Sequence, residues 1–178
     1  MSKNIEIKAR FDDLSKARRV AKALGARKLA TLTQVDTYFP TKSGRLKLRE
    51  ISGSERRAEL IWYERPDRAA ARASNYIVLP VLDSQGLTFA LTAALGVKSI
   101  VRKRRELWIF KNVRIHLDRV EGLGSFIELE AVVGPRHGPA VSKRNLLTVQ
   151  RTLTIEPGLL VPKSYSDLIR SLKFKRGR

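Results

Sequence analysis

The chain contains no cysteine, which excludes a disulfide framework, a thiolate metal site and a cysteine nucleophile. No run of apolar residues is long enough to cross a bilayer, and the opening stretch MSKNIEIKARFDD lacks the apolar core of a signal peptide. Aromatic residues are scarce at 7%, whereas RNA-binding sheets commonly display exposed aromatic rows. We therefore expect a cytoplasmic protein with no membrane partner.

Acidic residues are also few, since 17 Asp and Glu stand against 36 Lys and Arg. The formal charge is +19 and the pI is near 11.0. A chain of this charge seeks polyanions such as nucleic acid, phosphorylated metabolites, polyphosphate or an anionic surface. Net charge alone does not choose among these partners.

Alternation of polar and apolar residues predicts eight strands, and period-3.6 apolar stripes predict four helices. Short turns between most strands predict an antiparallel sheet, which eight strands can close into a barrel. We therefore expect an α+β fold with helices outside a closed barrel, one domain over 1–172 and a basic tail over 173–178. The predicted strands are 4–10, 34–39, 45–51, 58–65, 75–81, 97–110, 113–120 and 125–133, and the predicted helices are about 14–24, 84–95, 139–152 and 166–172.

The polar faces of these strands are strongly charged. In "NIEIKAR" (4–10), one face carries Asn4, Glu6, Lys8 and Arg10, and the other carries only apolar side chains. The same alternation returns in "RLKLREI", "LIWYER", "VRIHLD" and "FIELEA", whereas in "IVRKRREL" Arg102 and Arg104 lie on the face opposite to Lys103 and Arg105. The further charged or polar faces hold Arg45, Lys47 and Arg49; Tyr63 and Arg65; Lys103 and Arg105; Arg114, His116 and Asp118; and Glu128 and Glu130.

Two arrangements fit this pattern. In the first, each strand buries its apolar face and exposes its charged face to solvent, as half-buried antiparallel sheets do. In the second, the charges line the inside of a barrel and the amphipathic helices cover its apolar outside. Segregation of cations and carboxylates onto different strands favours the second arrangement, because a lumen with both can bind a polyphosphate and divalent cations.

The motifs resemble those of the CYTH superfamily, the triphosphate tunnel metalloenzymes, and within it the class IV adenylyl cyclase-like branch. "NIEIKAR" is similar to the E-x-E-x-K signature of that family. The segments "DTYF", "GRLKLRE", "LIWYERPD", "VRKRREL", "VRIHLDRVEGLGSFIELE" and "SYSDL" follow in the family's order, so the resemblance covers residues 3 to about 172. It implies an eight-stranded tunnel that holds a triphosphate-containing small molecule.

The resemblance also implies roles for individual residues. Mg²⁺ or Mn²⁺ would be held by Glu6, Asp118, Glu128 and Glu130. Glu6, Lys8 and Arg49 would be catalytic, and Tyr165 is a candidate lid residue or a residue that packs the last helix. The implied substrate contacts are Lys8, Arg10, Arg45, Lys47, Arg49, Arg65, Lys103, Arg105, Arg114 and Tyr165.

One position departs from the family pattern, because Asn4 replaces the first Glu of E-x-E-x-K. An amide oxygen can ligate a hard cation, but it carries no charge and binds Mg²⁺ more weakly than a carboxylate. Asn4 is expected either to be a weakened ligand or to orient a metal-bound water.

The resemblance leaves the reaction open. Water attack at the terminal phosphorus makes a triphosphatase acting on inorganic, thiamine or nucleoside triphosphate, and this is the reaction we expect. Attack by the ribose 3′-hydroxyl of ATP makes an adenylyl cyclase instead. A catalytically weak polyphosphate- or RNA-binding module, with non-specific polyanion binding, is a third alternative, and either a monomer or a homodimer is compatible with the sequence.

Overall fold

The computed structural model describes residues 2–53, 56–67 and 70–176, and the strands within them form a closed antiparallel barrel. The strands are β1 (Ser2–Arg10), β2 (Arg27–Phe39), β3 (Arg45–Gly53), β4 (Arg57–Glu64), β5 (Arg72–Val81), β6 (Ser99–Phe110), β7 (Val113–Val120) and β8 (Gly124–Val133). The helices are α1 (Leu14–Ala23), α2 (Ser84–Leu95), α3 (Pro139–Thr152) and α4 (Tyr165–Arg176). Around the wall the order is β1-β5-β4-β3-β2-β6-β7-β8. The predicted α+β barrel with external helices is confirmed.

Local signals in the sequence set the helix ends. The side chain of Asp13 accepts a hydrogen bond from the Lys16 amide at 2.8 Å and begins α1. Gly25 follows α1 with a φ of 84°, a left-handed conformation that glycine adopts without strain. Asp83 caps α2 in the same way, through the Gly86 amide at 2.9 Å. These caps fix where α1 and α2 begin.

The apolar faces of the strands lie outside the wall, beneath the helices. Ile7, Ile115 and Leu129 belong to a buried cluster that also contains Ala17 of α1 and Leu146 of α3. Burying a side chain of this size stabilises the fold by about 1.5–3 kcal/mol. The barrel is therefore held together mainly from its outer surface.

The same arrangement on β3 decides between the two orientations of the charged faces. Leu48 is 1% exposed and packs with Leu46 against Leu87 and Leu91 of α2. Lys47, which alternates with them, points to the interior and lines the lumen. The second of the two arrangements, in which charged side chains line the inside of the barrel and the helices cover its apolar outside, is therefore confirmed.

β2 and β5 are the strands that begin furthest before their predicted starts. β2 begins at Arg27 instead of residue 34, and a bulge between Lys28 and Ala30 shifts its register and breaks the period-two alternation that signals a strand. β5 begins at Arg72 inside the predicted basic loop, because Arg72 pairs with Glu6 of β1. Alternation within each segment alone does not show these pairings.

The last helix is longer than predicted. α4 runs to Arg176, whereas the sequence predicts that this helix ends near residue 172. The side chains of Lys173, Lys175 and Arg176, and the whole of Arg178, lie outside the residues that the structure describes.

Candidate active site

The barrel lumen encloses a cavity of about 600 Å³, a size typical of small-molecule sites. All but three of the site residues predicted from the sequence line this cavity. Those that do are Glu6, Lys8, Lys47, Arg49, Arg65, Lys103, Arg105, Arg114, Glu128, Glu130 and Tyr165. The structure thus brings residues from five strands, one helix and the residue that follows β4 into one chamber.

Three of the lumen cations converge on one carboxylate. Asp36 of β2 is 0% exposed and accepts hydrogen bonds from Arg49 Nε at 2.6 Å and Arg49 Nη2 at 2.8 Å. Lys47 Nζ lies 2.9 Å and Lys103 Nζ 3.3 Å from Asp36 Oδ2. Asp36 therefore fixes the positions of three cations that face the cavity.

These contacts set the protonation of the cluster. Burial raises the pKa of Asp36, but the charges of Arg49, Lys103 and Lys47 outweigh it and hold that pKa well below its usual value. Burial, aided by the charge of Arg49, lowers the pKa of Lys47 to about 7. Burial also lowers the pKa of Lys8 to about 8, although Glu128 opposes the shift. The amines of Lys8 and Lys47 therefore titrate near neutral pH, and a nearby anion favours their charged forms.

The carboxylate side of the chamber is built by neighbouring residues of β7 and β8. Glu128 is held by Lys8 Nζ at 3.1 Å and Arg105 Nη2 at 2.6 Å. Glu130 has weaker partners, with Arg114 Nη1 at 4.0 Å and His116 Nδ1 at 3.7 Å. Burial and the nearby charges of Glu128 and Glu6 raise the pKa of Glu130. This carboxylate lacks the positive charge that would balance it.

His116 completes a candidate metal centre with these two carboxylates. One ligand atom from each of His116, Glu128 and Glu130 lies within 4.8 Å of the others. His116 Nδ1 is buried and makes no hydrogen bond within the described part of the chain. Burial, followed by the charge of Arg105, lowers the pKa of His116 well below its usual value, so its imidazole is neutral at neutral pH. Neutral imidazole and carboxylate are both ligands for a divalent cation.

Two polar residues of β1 lie on the same side. Glu6 is bonded to the Nη1 atom of Arg65 and lies 3.6 Å from Arg72 Nε. Asn4 is 5% exposed and lines the cavity, and its Oδ1 accepts no hydrogen bond from any described residue. A buried amide oxygen without a hydrogen-bond donor among the described residues is suited to bind a cation or a water molecule.

Asp118 is 0% exposed and lies behind the cavity lining. Arg105 donates to it through Nε at 2.7 Å and Nη2 at 2.6 Å, and the Tyr165 hydroxyl donates at 2.9 Å. The Tyr165 ring packs edge-on against Phe126 at 5.1 Å, and Lys8 Nζ lies 3.9 Å from its centroid. Tyr165 therefore both anchors α4 and lines the lumen. A metal-ligand role for Asp118 stays a prediction.

The other two predicted residues lie away from the lining. Arg10 is exposed, and its Nη1 donates to the Leu123 carbonyl at 3.2 Å. Arg45 binds Asp67 at 2.7 Å and Asp167 of α4 at 3.1 Å, so it ties a loop and a helix together beside a second, shallower pocket. Phosphate contacts from these two arginines stay predictions.

Two buried residues that contact lumen side chains were missed by reasoning from the sequence. Asp36 sits in the quoted "DTYF" segment and shares its strand face with Gln34 and Tyr38, which is a signal that could have identified it. Arg72 falls in a segment that reads as a loop, so its burial beside Glu6 had no local signal.

Comparison with known proteins assigns the chain to a family. The CYTH domain family model matches residues 2–165, and the chain belongs to that family. A protein of Methanocaldococcus jannaschii named "Putative adenylate cyclase MJ0240" is 25% identical over 174 residues, covering 92% of this chain and 97% of that protein.

Solved structures agree on the fold. The PH1012 protein of Pyrococcus horikoshii OT3 superposes with a TM-score of 0.81 at 26% identity, covering 94% of this chain and 99% of the other. The adenylyl cyclase-like protein HpAC1 of Hippeastrum, described as having a dominant triphosphatase activity, gives a TM-score of 0.62 at 15% identity, covering 96% of each chain. In the described residues, no helix is both long and apolar enough to span a membrane.

Proposed function

We propose that this protein is a divalent-metal-dependent triphosphatase. The observation that carries the proposal is the division of one closed lumen into two chemical sides. Lys47, Arg49 and Lys103 form a cationic side around Asp36, and Glu128, Glu130 and His116 form an acidic side whose groups are of the kind that bind divalent cations. A polyphosphate and a divalent cation need these two environments next to each other.

On the cationic side, the side chains act by binding and orienting the phosphate chain. Asp36 holds Arg49 through two hydrogen bonds, so the guanidinium is fixed before any ligand arrives. Preorganised donors of this kind stabilise developing charge without reorganising during the reaction. Lys8 lies between the two sides, bonded to Glu128 and facing the same cavity. It is placed to hold a phosphoryl oxygen close to the carboxylates.

On the carboxylate side, we propose that Glu128, Glu130 and His116 hold Mg²⁺ or Mn²⁺, with Glu6 and Asn4 nearby. The residues fit such an ion because Glu130 is poorly balanced by positive charge and His116 Nδ1 has no hydrogen bond among the described residues. When bound, a divalent cation there supplies charge neutralisation at the phosphoryl oxygens.

Adenylyl cyclase activity is the second candidate, and the name of the Methanocaldococcus jannaschii relative favours it. Both reactions use a cationic wall and a metal, and they differ in the nucleophile that reaches phosphorus. Water gives phosphate release, whereas a ribose 3′-hydroxyl gives cyclic AMP and pyrophosphate.

The test is phosphate release from tripolyphosphate, ATP and thiamine triphosphate with Mg²⁺ or Mn²⁺ and with EDTA, with cyclic AMP measured in parallel. Divalent-dependent phosphate release without cyclic AMP supports the proposal. Glu130→Gln should lose this activity, while Glu121→Gln, which alters an exposed acid, should keep it. Cyclic AMP as the main product would establish the second candidate. Binding without turnover under every condition would overturn both and leave a binding module.

A further inference from the structure

The outer wall formed by β4 and β5 exposes apolar side chains, whereas the outer faces of β3 and β7 are buried beneath helices. Ile77 is 40% exposed and Leu79 is 52% exposed. Val78 between them lines the cavity, so both side chains point outward. In the strand register they lie opposite Trp62 and Leu60, which are half-buried. These cross-strand pairs form an apolar surface on the outside of the barrel.

The chain that follows β5 extends this surface. Leu82 is fully exposed, and Phe89 of α2 is 78% exposed. Leu87 and Leu91 pack toward the wall in the same cluster as Val81 at the end of β5, so α2 lies beside the exposed strand face. Phe89 is two residues from each leucine, about 200° around the helix, and therefore lies on the outer side. We define the apolar patch as Ile77, Leu79, Leu82 and Phe89.

The apolar patch belongs to a segment that is almost without charge. In a chain in which 30% of residues are charged, the segment 73–97 carries only Asp83. That carboxylate caps α2, where it accepts a hydrogen bond from the Gly86 amide at 2.9 Å. The exposed parts of the four patch residues amount to nearly three whole side chains, on the order of 400–600 Å². An exposed apolar patch of this size marks an interaction surface.

A second copy of this chain is the partner that the charge distribution favours. Each copy carries +19, so two copies repel each other over most of their surface, and they approach at least cost through a face without cations. The barrel is closed and has no free strand edge, so the copies must meet face to face. An anionic membrane is favoured less, because apolar helices that bind membranes carry Lys or Arg and the segment 73–97 has neither.

The area of the patch is sufficient for a specific dimer. Two apolar patches packed against each other remove roughly 800–1,200 Å² from water, and the smallest standard interfaces bury about 1,200 Å² in total. The half-buried Trp62 and Leu60 adjoin the patch and add to this area. In a two-fold dimer the same surface is used by both copies, so one patch on each chain is enough.

We propose that this protein forms a two-fold homodimer in which the apolar patch of one copy packs on the apolar patch of the other. The proposal goes beyond the reaction in the lumen and does not depend on it. The interface lies on the outer wall of the barrel, so each copy keeps its own cavity.

The test is sedimentation equilibrium of the full chain over a range of concentrations. The wild type should sediment at about 40 kDa, twice the 20.1 kDa of one chain, and should dissociate on dilution. Phe89→Glu and Leu79→Thr should each raise the dissociation constant of the dimer roughly tenfold or more. Phe174→Glu is the matched control, because Phe174 of α4 is 68% exposed and lies outside the patch, and it should leave the dimer unchanged. Circular dichroism verifies that all variants fold.

Salt separates an apolar interface from an ionic one. Raising the salt concentration should tighten the wild-type dimer, because salt screens the repulsion between the two +19 chains. A dimer that salt weakens would be held by ion pairs, which contradicts the proposal. A wild type that stays monomeric at every concentration, or a dimer that Phe174→Glu weakens as much as Phe89→Glu does, would overturn it. The proposal also fails if the wild type binds phosphatidylserine vesicles as a monomer through Phe89, because the patch would then be a membrane surface.

Discussion

Replacing Asp36 with Asn removes the one negative charge around which three lumen cations are arranged. The carboxylate is 0% exposed and has four contacts of 3.3 Å or less, two with Arg49 and one each with Lys47 and Lys103. Asparagine keeps the size of the side chain but cannot offset their charge. The cations would then repel each other across a poorly solvated space.

The expected cost follows from the burial of these groups. Removing one partner from a buried ion pair typically destabilises a protein by about 3–5 kcal/mol, because a charge is left uncompensated. The pKa of Lys47 is already lowered to about 7, so this lysine can lose its proton and limit the damage. We therefore expect the lower end, near 3 kcal/mol, which is roughly a 10 °C fall in melting temperature for a chain of this length.

The assay is thermal unfolding followed by circular dichroism, with and without tripolyphosphate. The anion supplies the charge that Asp36→Asn removes, so it should raise the melting temperature of the variant more than that of the wild type. Asp12→Asn is the matched control, because Asp12 is exposed and its carboxylate contacts no lumen cation among the described residues. A melting temperature within about 2 °C of wild type would refute the role given to Asp36. If tripolyphosphate raises the melting temperatures of the variant and the wild type equally, the ligand does not replace the negative charge of Asp36, and this part of the reasoning is refuted.

Three further predictions concern ligand and metal binding. Arg49→Ala should weaken tripolyphosphate binding roughly tenfold or more, whereas Arg104→Ala on the outer face should leave it nearly unchanged; equal losses in calorimetry would mean diffuse surface binding. Because Lys47 loses its charge as the pH rises through about 7, the affinity for tripolyphosphate should be full below that pH and should fall above it. Lys47→Arg should flatten this part of the plot of affinity against pH, and an unchanged plot would show that Lys47 does not cause the fall. Glu6→Gln should abolish most divalent-dependent turnover, and Asn4→Glu should lower the Mg²⁺ concentration required, so unchanged metal titrations in both variants would exclude β1 from the metal site.

The fold could be predicted from the sequence because its physical signal is local. Several strands alternate charged and apolar residues, and Leu46 and Leu48 need a helix to cover them once Lys47 and Arg49 point inward. The amphipathic pattern therefore defines the strands, whereas their orientation in the barrel is favoured by the segregation of cations and carboxylates onto different strands and by the family resemblance. It does not define their lengths, as the bulged start of β2 shows.

The site could be predicted only in part, because its chemistry depends on contacts between distant segments. Which residues face the lumen follows from alternation, but which cation pairs with which carboxylate does not. Asp36 binds Lys103 across 67 residues, and Arg65 binds Glu6 across 59. His116 was recognised as sharing a face with Asp118, yet the barrel register places it opposite Glu128, and the metal-like cluster follows from that register.

The pairing of lumen charges has a consequence for the unliganded protein. Eight Lys and Arg side chains and four Glu side chains line the cavity. Two buried carboxylates behind this lining, those of Asp36 and Asp118, reduce the excess of positive charge but do not remove it. Burial of these amines destabilises their charged forms, as the lowered pKa values of Lys8 and Lys47 indicate, and for Lys47 the neighbouring charge of Arg49 adds to the effect. A polyanion bound as proposed would favour the charged forms, so part of its binding free energy would come from offsetting this cost. Under the proposed function, ligand affinity and the free energy of unfolding are thus linked through the same side chains.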